Sequence, residues 1–174
     1  KTITEVSFII SETFRKGGKV LLCGNGGSAA DAQHIAAELV AKLDKDRTSL
    51  PAVALTVDTS LLTAVGNDYG YEWLFHRQVK GLVRKNDIFL AITTSGNSAN
   101  ILRGLEACRE VGATSILLTG KGGGKARAMN LADHYVIAPG DHTAQIQEAH
   151  IVIYHSICFM VERALIESGH ARYF

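Results

Sequence analysis

His34 and Glu38 stand four residues apart, and Gln147 and His155 stand eight apart in a later segment. Four apart on a helix is one turn on, on the same face. At about 100° per residue, eight apart leaves Gln147 and His155 about 80° from each other, still on one broad face. Both interrupt an otherwise apolar run, and a buried polar group needs a partner. Hydrogen bonding between helices satisfies that need on its own. Taken together, His34, Glu38, Gln147 and His155 offer two nitrogens and two oxygens. That set suits Zn²⁺ or a similar divalent ion, although Gln is an unusual ligand. The same Glu and His also suit general acid–base work, and the two roles overlap if metal occupancy varies. His150 is an alternative ligand, while Glu148 is expected to face solvent.

These groups depend on the loops that launch their helices. Gly24-Asn25-Gly26-Gly27-Ser28 follows an apolar run and precedes the helix carrying His34 and Glu38. Thr93-Thr94-Ser95-Gly96-Asn97-Ser98 follows a second apolar run and offers four hydroxyls, more than a helix cap needs. Glycines let backbone approach a ligand, and hydroxyls and helix N–H groups donate to phosphate oxygens. A third cluster, Gly120 to Lys125, fails the P-loop pattern because Thr119 stands where its first Gly belongs and Ala126 follows Lys125. The GxGxxG pattern is also missing, since Ala29 ends that stretch. The third cluster therefore reads as a flexible loop.

Five continuously apolar runs, 19–23, 52–57, 87–93, 114–118 and 134–138, predict buried parallel strands. Helical patterns fill the gaps at 3–15, 29–43, 59–66, 71–84, 98–111, 124–131 and 143–168. This alternation predicts an α/β fold, a doubly wound three-layer α/β/α sandwich around a five-stranded parallel sheet. Ligands in such sheets bind beyond the carboxyl ends of the strands. The chain has 174 residues and 47% hydrophobic content, which suits one domain with a full core. With 18 basic and 17 acidic side chains and no long basic run, nucleic acid is not an expected partner. Cys23, Cys108 and Cys158 form no CxxC pair and read as buried thiols of a cytoplasmic protein. No signal peptide or membrane span is expected. The last helix is apolar on much of its circumference, which predicts cover by another subunit.

The Thr94–Ser98 loop resembles the signature of the sugar isomerase (SIS) domain, which isomerases, synthases and regulators of phosphosugars share. Three further stretches, 24–39, 66–79 and 143–155, narrow the resemblance to the phosphoheptose isomerases over nearly the whole chain. The resemblance implies one flavodoxin-like SIS domain over residues 1–174 and a homotetramer with interfacial active sites. It implies interconversion of sedoheptulose 7-phosphate and D-glycero-D-manno-heptose 7-phosphate through an enediol. The product would feed heptose biosynthesis for lipopolysaccharide, surface-layer glycan or capsule. Carried onto this sequence, the ligands of one Zn²⁺ per subunit are His34, Glu38, Gln147 and His155, and the catalytic pair is Glu38 and His155. The implied substrate contacts are Asn25, Gly26, Gly27, Glu38, Asn67, Asp68, Thr93, Thr94, Ser95, Ser98 and Gln147. The alternative is a non-catalytic SIS-domain binding protein, a replication-initiator-associating homologue, which needs no acid–base set. The presence of Glu38, Gln147 and His155 favours the enzyme.

Overall fold

The structure is a computed structural model that describes residues 2–174. Five strands, β1 (Val20–Cys23), β2 (Ala52–Ala54), β3 (Ile88–Thr93), β4 (Thr114–Thr119) and β5 (His134–Ile137), pair in the order β2-β1-β3-β4-β5. Every pairing is parallel. The helices are α1 (Thr2–Arg15), α2 (Gly27–Val40), α3 (Thr59–Asp68), α4 (Leu74–Leu82), α5 (Ala99–Val111), α6 (Gly124–Ala128) and α7 (Thr143–Glu167). The expected α/β sandwich is the fold observed.

Strand side chains alternate between faces, and the core divides accordingly. Val20, Leu22, Ile88, Leu90 and Ile92 pack with Ile10, Ile35, Tyr154, Ile157 and Val161 from α1, α2 and α7. Leu21, Cys23, Phe89 and Ala91 pack on the other face with Phe75, Val79, Ile101 and Leu105 from α4 and α5. Two covered faces explain why the strands read as unbroken apolar runs. The three cysteines are free and buried, as expected.

Some boundaries differ. β2 ends at Ala54, three residues early, because it is an edge strand whose single partner, β1, ends at Cys23. Leu55 still donates its N–H to the Leu22 carbonyl before the chain turns to the Asp58 cap of α3. The segment expected as one helix over 71–84 opens with a 3₁₀ turn, Tyr71–Trp73. The third glycine cluster is not a loose loop. It forms a 3₁₀ turn, Lys121–Gly123, and runs into α6. Ala126 N–H donates to the Gly96 carbonyl and Lys125 N–H to Asn97 Oδ1, so this cluster braces the Thr93–Ser98 loop. By length and composition α7 is apolar enough to cross a membrane. Here it is the packing helix of one core layer, with Ile146, Tyr154, Ile157, Val161 and Leu165 buried.

The strand order places the topological switch between β1 and β3, whose chains leave toward opposite sides. That is where open α/β sheets form their ligand crevice.

Candidate functional site

At the switch point, Asn25, Gly26, Gly27, Ser28, Thr93, Thr94, Ser95, Ser98, Thr143 and Gln147 line a cleft of about 330 Å³ with Ile92 at its base. Three helix starts meet there: Gly27 of α2, the Ser98 end of α5 and Thr143 of α7. No side chain caps α2 or α5. Helix N-termini carry partial positive charge and free N–H donors, so their convergence favours an anion. No Lys or Arg is among the lining residues. The Thr93 and Ser98 hydroxyls lie 3.3 Å apart, and Ser95 Oγ accepts from Asn97 N–H at 3.2 Å. Gly26 has φ of 54°, which admits Gly easily and a side chain poorly. At Gly27 a Cβ would run into the Gln147 amide nitrogen, so a larger residue there would push that side chain aside.

Asn25 is held from two sides. Its side-chain amide pairs reciprocally with that of Asn100 at 2.9 and 2.8 Å, and the Tyr71 hydroxyl donates to its Oδ1 at 3.0 Å. The pair ties the Gly24–Ser28 loop to α5. Nothing in the spacing of Asn100 or Tyr71 announced this role.

Further along α2 and α7 the two helices bring His34, Glu38 and His155 together. One ligand atom from each lies within 4.8 Å of the others. His34 Nε2 stands 3.1 Å from Glu38 Oε1, and the His34 and His155 rings meet edge to face at 5.0 Å between centroids. Glu38 Oε2 is buried and has no hydrogen-bond partner. Two imidazoles converging on a carboxylate with an unpartnered buried oxygen fit a divalent cation. Gln147, two turns before His155, lines the cleft with its amide against Gly27.

Tyr154 and Asp31 complete the surroundings. The Tyr154 hydroxyl is 2.8 Å from His34 Nδ1, and burial pushes its phenol up to about 12. Burial also raises the Asp31 carboxyl, and the neighbouring His34 and Tyr154 hydroxyl pull it partly back. Asp31 sits three residues before His34 on the same helix face, a spacing that the sequence did offer. Tyr154 carried no such signal.

One sequence expectation turns out differently. His150 is not an alternative ligand. It is fully buried against the backbone of Thr119, on the side of α7 that faces the sheet. Asn67 and Asp68 lie exposed at the end of α3, where Asn67 Nδ2 donates to Asp68 Oδ1 at 2.7 Å, and neither lines the cleft. Glu148 faces solvent as expected.

The sequence pattern of the SIS domain matches residues 1–120. The phosphoheptose isomerase of Aquifex aeolicus (strain VF5) is 52% identical over 165 residues, covering 95% of this chain and 85% of its own length. That of Aneurinibacillus thermoaerophilus is 50% identical over 168 residues, covering 97% of this chain and 84% of its own. The solved phosphoheptose isomerase of Francisella tularensis superposes with a TM-score of 0.89 at 40% identity, covering 93% of this chain and 85% of that one. The Neisseria gonorrhoeae structure gives 0.86 at 43% identity with the same coverage.

Proposed function

The chain belongs to the SIS domain family and, within it, to the phosphoheptose isomerases, and we propose that it interconverts sedoheptulose 7-phosphate and D-glycero-D-manno-heptose 7-phosphate. It is an enzyme of the aldose–ketose isomerase class. The observation that carries the assignment is the layout of α2 and α7. Both start at an anion cleft, and both carry acid–base groups farther along, His34 about two turns and Glu38 about three turns past Gly27, His155 more than three turns past Thr143. At about 1.5 Å per residue, His34 stands about 10 Å beyond Gly27 along α2, and His155 about 12 Å beyond Gln147 along α7. An open-chain seven-carbon phosphate has the reach to place its phosphate at one end and C1 and C2 at the other.

In this reading Thr93, Thr94, Ser95 and Ser98 hold the phosphate with the helix N–H groups, while Asn25, Gly26, Gly27 and Gln147 wall the sugar. Glu38 moves the carbon-bound proton between C1 and C2, using the oxygen that no protein group occupies. His155 protonates and deprotonates the two sugar oxygens, so that an enediol connects ketose and aldose. Holding the phosphate fixes the distance from C2 to Glu38, which is the positioning part of catalysis. His34, Glu38, Gln147 and His155 would hold one Zn²⁺, and that ion, when bound, polarises the sugar carbonyl. Ligation also makes Glu38 a weaker base, so tight metal binding and proton abstraction compete. Asn67 and Asp68, exposed on α3, serve the sugar from an adjacent copy. We read residues 1–174 as one SIS domain acting in the cytoplasm as a homotetramer, with heptose for surface glycans such as lipopolysaccharide as the product's use.

The test is direct. Incubation with sedoheptulose 7-phosphate should yield the aldose, followed by NMR of the anomeric region. Glu38→Gln and His155→Ala should each lower turnover by about 10²–10⁴-fold, the usual weight of an acid–base group. A wild-type protein that binds the ketose without converting it would overturn the assignment and leave the non-catalytic binder.

A further inference from the structure

We propose that Asn97 and Gly124 are positioning residues for the phosphate: they dock the glycine turn at 120–124 onto the Thr93–Ser98 loop and so set its hydroxyls before an anion arrives. The inference rests on the reading above that this loop takes the phosphate.

A hydroxyl has one proton to give. If Thr93, Thr94, Ser95 and Ser98 give theirs to a phosphate, they cannot also use them to hold their own loop together. The scaffold must then come from backbone and amide groups. Asn97 supplies it in two directions. Its N–H donates to Ser95 Oγ at 3.2 Å, which leaves the Ser95 proton free for a ligand. Its side-chain Oδ1 accepts from Lys125 N–H at 2.8 Å. Beside it the Gly96 carbonyl accepts from Ala126 N–H at 3.0 Å. These hydrogen bonds cross from the loop to the start of α6, and neither uses a hydroxyl.

Glycine makes so close an approach possible. Gly96 has φ of 67° and Gly124 φ of 53°, a range that favours glycine. A Cβ at Gly96 would overlap the Gly123 carbonyl oxygen. One at Gly124 would overlap the Ser95 carbonyl oxygen and crowd Asn97 Oδ1. The two segments thus meet backbone to backbone, with no flexible side chain between them to yield. The turn is itself anchored. Ala126 is fully buried, and the Tyr135 hydroxyl donates to its carbonyl at 2.9 Å while accepting from Ala132 N–H at 2.9 Å. At its other end Gly120 lies against Ile146, the residue before the cleft-lining Gln147. One turn therefore touches both the phosphate loop and the start of α7. A loop already held in its bound shape loses less freedom when the ligand comes, and binds it more tightly.

Binding of inorganic phosphate to the full chain, followed by ³¹P NMR titration, tests this independently of turnover. Gly124→Ala drives a methyl group into the Ser95 backbone and should weaken phosphate by about 10-fold or more. Asn97→Ala removes one hydrogen bond and should weaken it by about 2–10-fold. Gly122→Ala is the control. Its φ of 72° strains a side chain too, but a Cβ there meets nothing within 4 Å. It should lower the melting temperature and leave phosphate affinity unchanged. Coupling is reciprocal, so saturating phosphate should slow amide exchange at Lys125 of the wild type by a factor of the same order. Wild-type affinity in Asn97→Ala or in Gly124→Ala would overturn the proposal and leave the phosphate reading standing, as would Lys125 exchange indifferent to phosphate. A Gly122→Ala protein weakened as much as Gly124→Ala would also overturn it, because lost stability would then explain both. Asn97 is exposed, so its variant and the wild-type exchange keep the test decisive if Gly124→Ala fails to fold. A wild type that binds no phosphate would instead sink the phosphate reading, and the proposal with it.

Discussion

His150 has no hydrogen-bond partner for either ring nitrogen and is fully buried. Desolvation disfavours its charged form and lowers its pKa below 6.5, outweighing the opposite pull of the Thr119 backbone. Between that lowered value and 6.5 the unfolded chain binds a proton that the folded chain refuses. Stability from this group is therefore full above the unfolded pKa and falls as pH drops through 6.5, by at most about 1.4 kcal/mol per pH unit. Urea unfolding at pH 5 to 7 should show a smaller pH slope in His150→Leu than in the wild type. Equal slopes would mean that the ring finds a partner. The sequence offered His150 as an alternative to His155, because a helix apolar nearly all round does not announce which side meets the sheet. Packing made that choice: Tyr154 and His150 turn inward, and His155 turns toward α2.

Between elements, the join of α2 to α7 runs through Arg47. Its guanidinium is 1% exposed and donates to Glu162 Oε2 at 2.8 Å, to the Leu39 carbonyl at 2.9 Å and to the carbonyl of Glu38 itself at 2.6 Å. It satisfies the last carbonyls of α2 with a side chain anchored two turns beyond His155 on α7. The Tyr173 hydroxyl donates to the other oxygen of Glu162, and Arg47 bridges to Tyr173 along the backbone. Arg47→Met should cost about 3–5 kcal/mol in urea unfolding, because it leaves the Glu162 charge buried and unpaired. Adding Glu162→Leu should recover most of that loss, since an apolar pair of similar volume is often neutral. A single variant as stable as the wild type would show that the Arg47–Glu162 pair does not hold the two helices together. The strand-end loops and the pairs 34/38 and 147/155 were legible because glycine runs, hydroxyl clusters and helical spacing are local signals. Arg47 was not. It lies in a charged stretch, 42–47, that reads as solvated, and its burial exists only once α2 and α7 meet.

Across the whole molecule, the side of α7 that bears His155 also exposes Ile151, Val152 and Phe159, with Val152 67% and Phe159 50% open. In the homotetramer proposed above, this row of apolar side chains is the face that another copy would cover. Light scattering should give a multiple of 18.7 kDa, and Val152→Glu with Phe159→Asp should dissociate it and lower kcat together. A fully active monomer would place the whole site within one chain and leave Asn67 and Asp68 without a part in it. The cleft that would hold the phosphate has a different consequence. It is lined by hydroxyls, amides and helix starts, with no Lys or Arg. Isomerisation alters the two carbons at the far end and leaves the phosphate as it was. In the proposed reading the cleft would hold the phosphate alike in ketose, enediol and aldose, so its part in the rate would be the positioning of C1 and C2. It is indifferent to direction, and net flux runs toward the equilibrium ratio of the two sugars from whichever side is in excess of it.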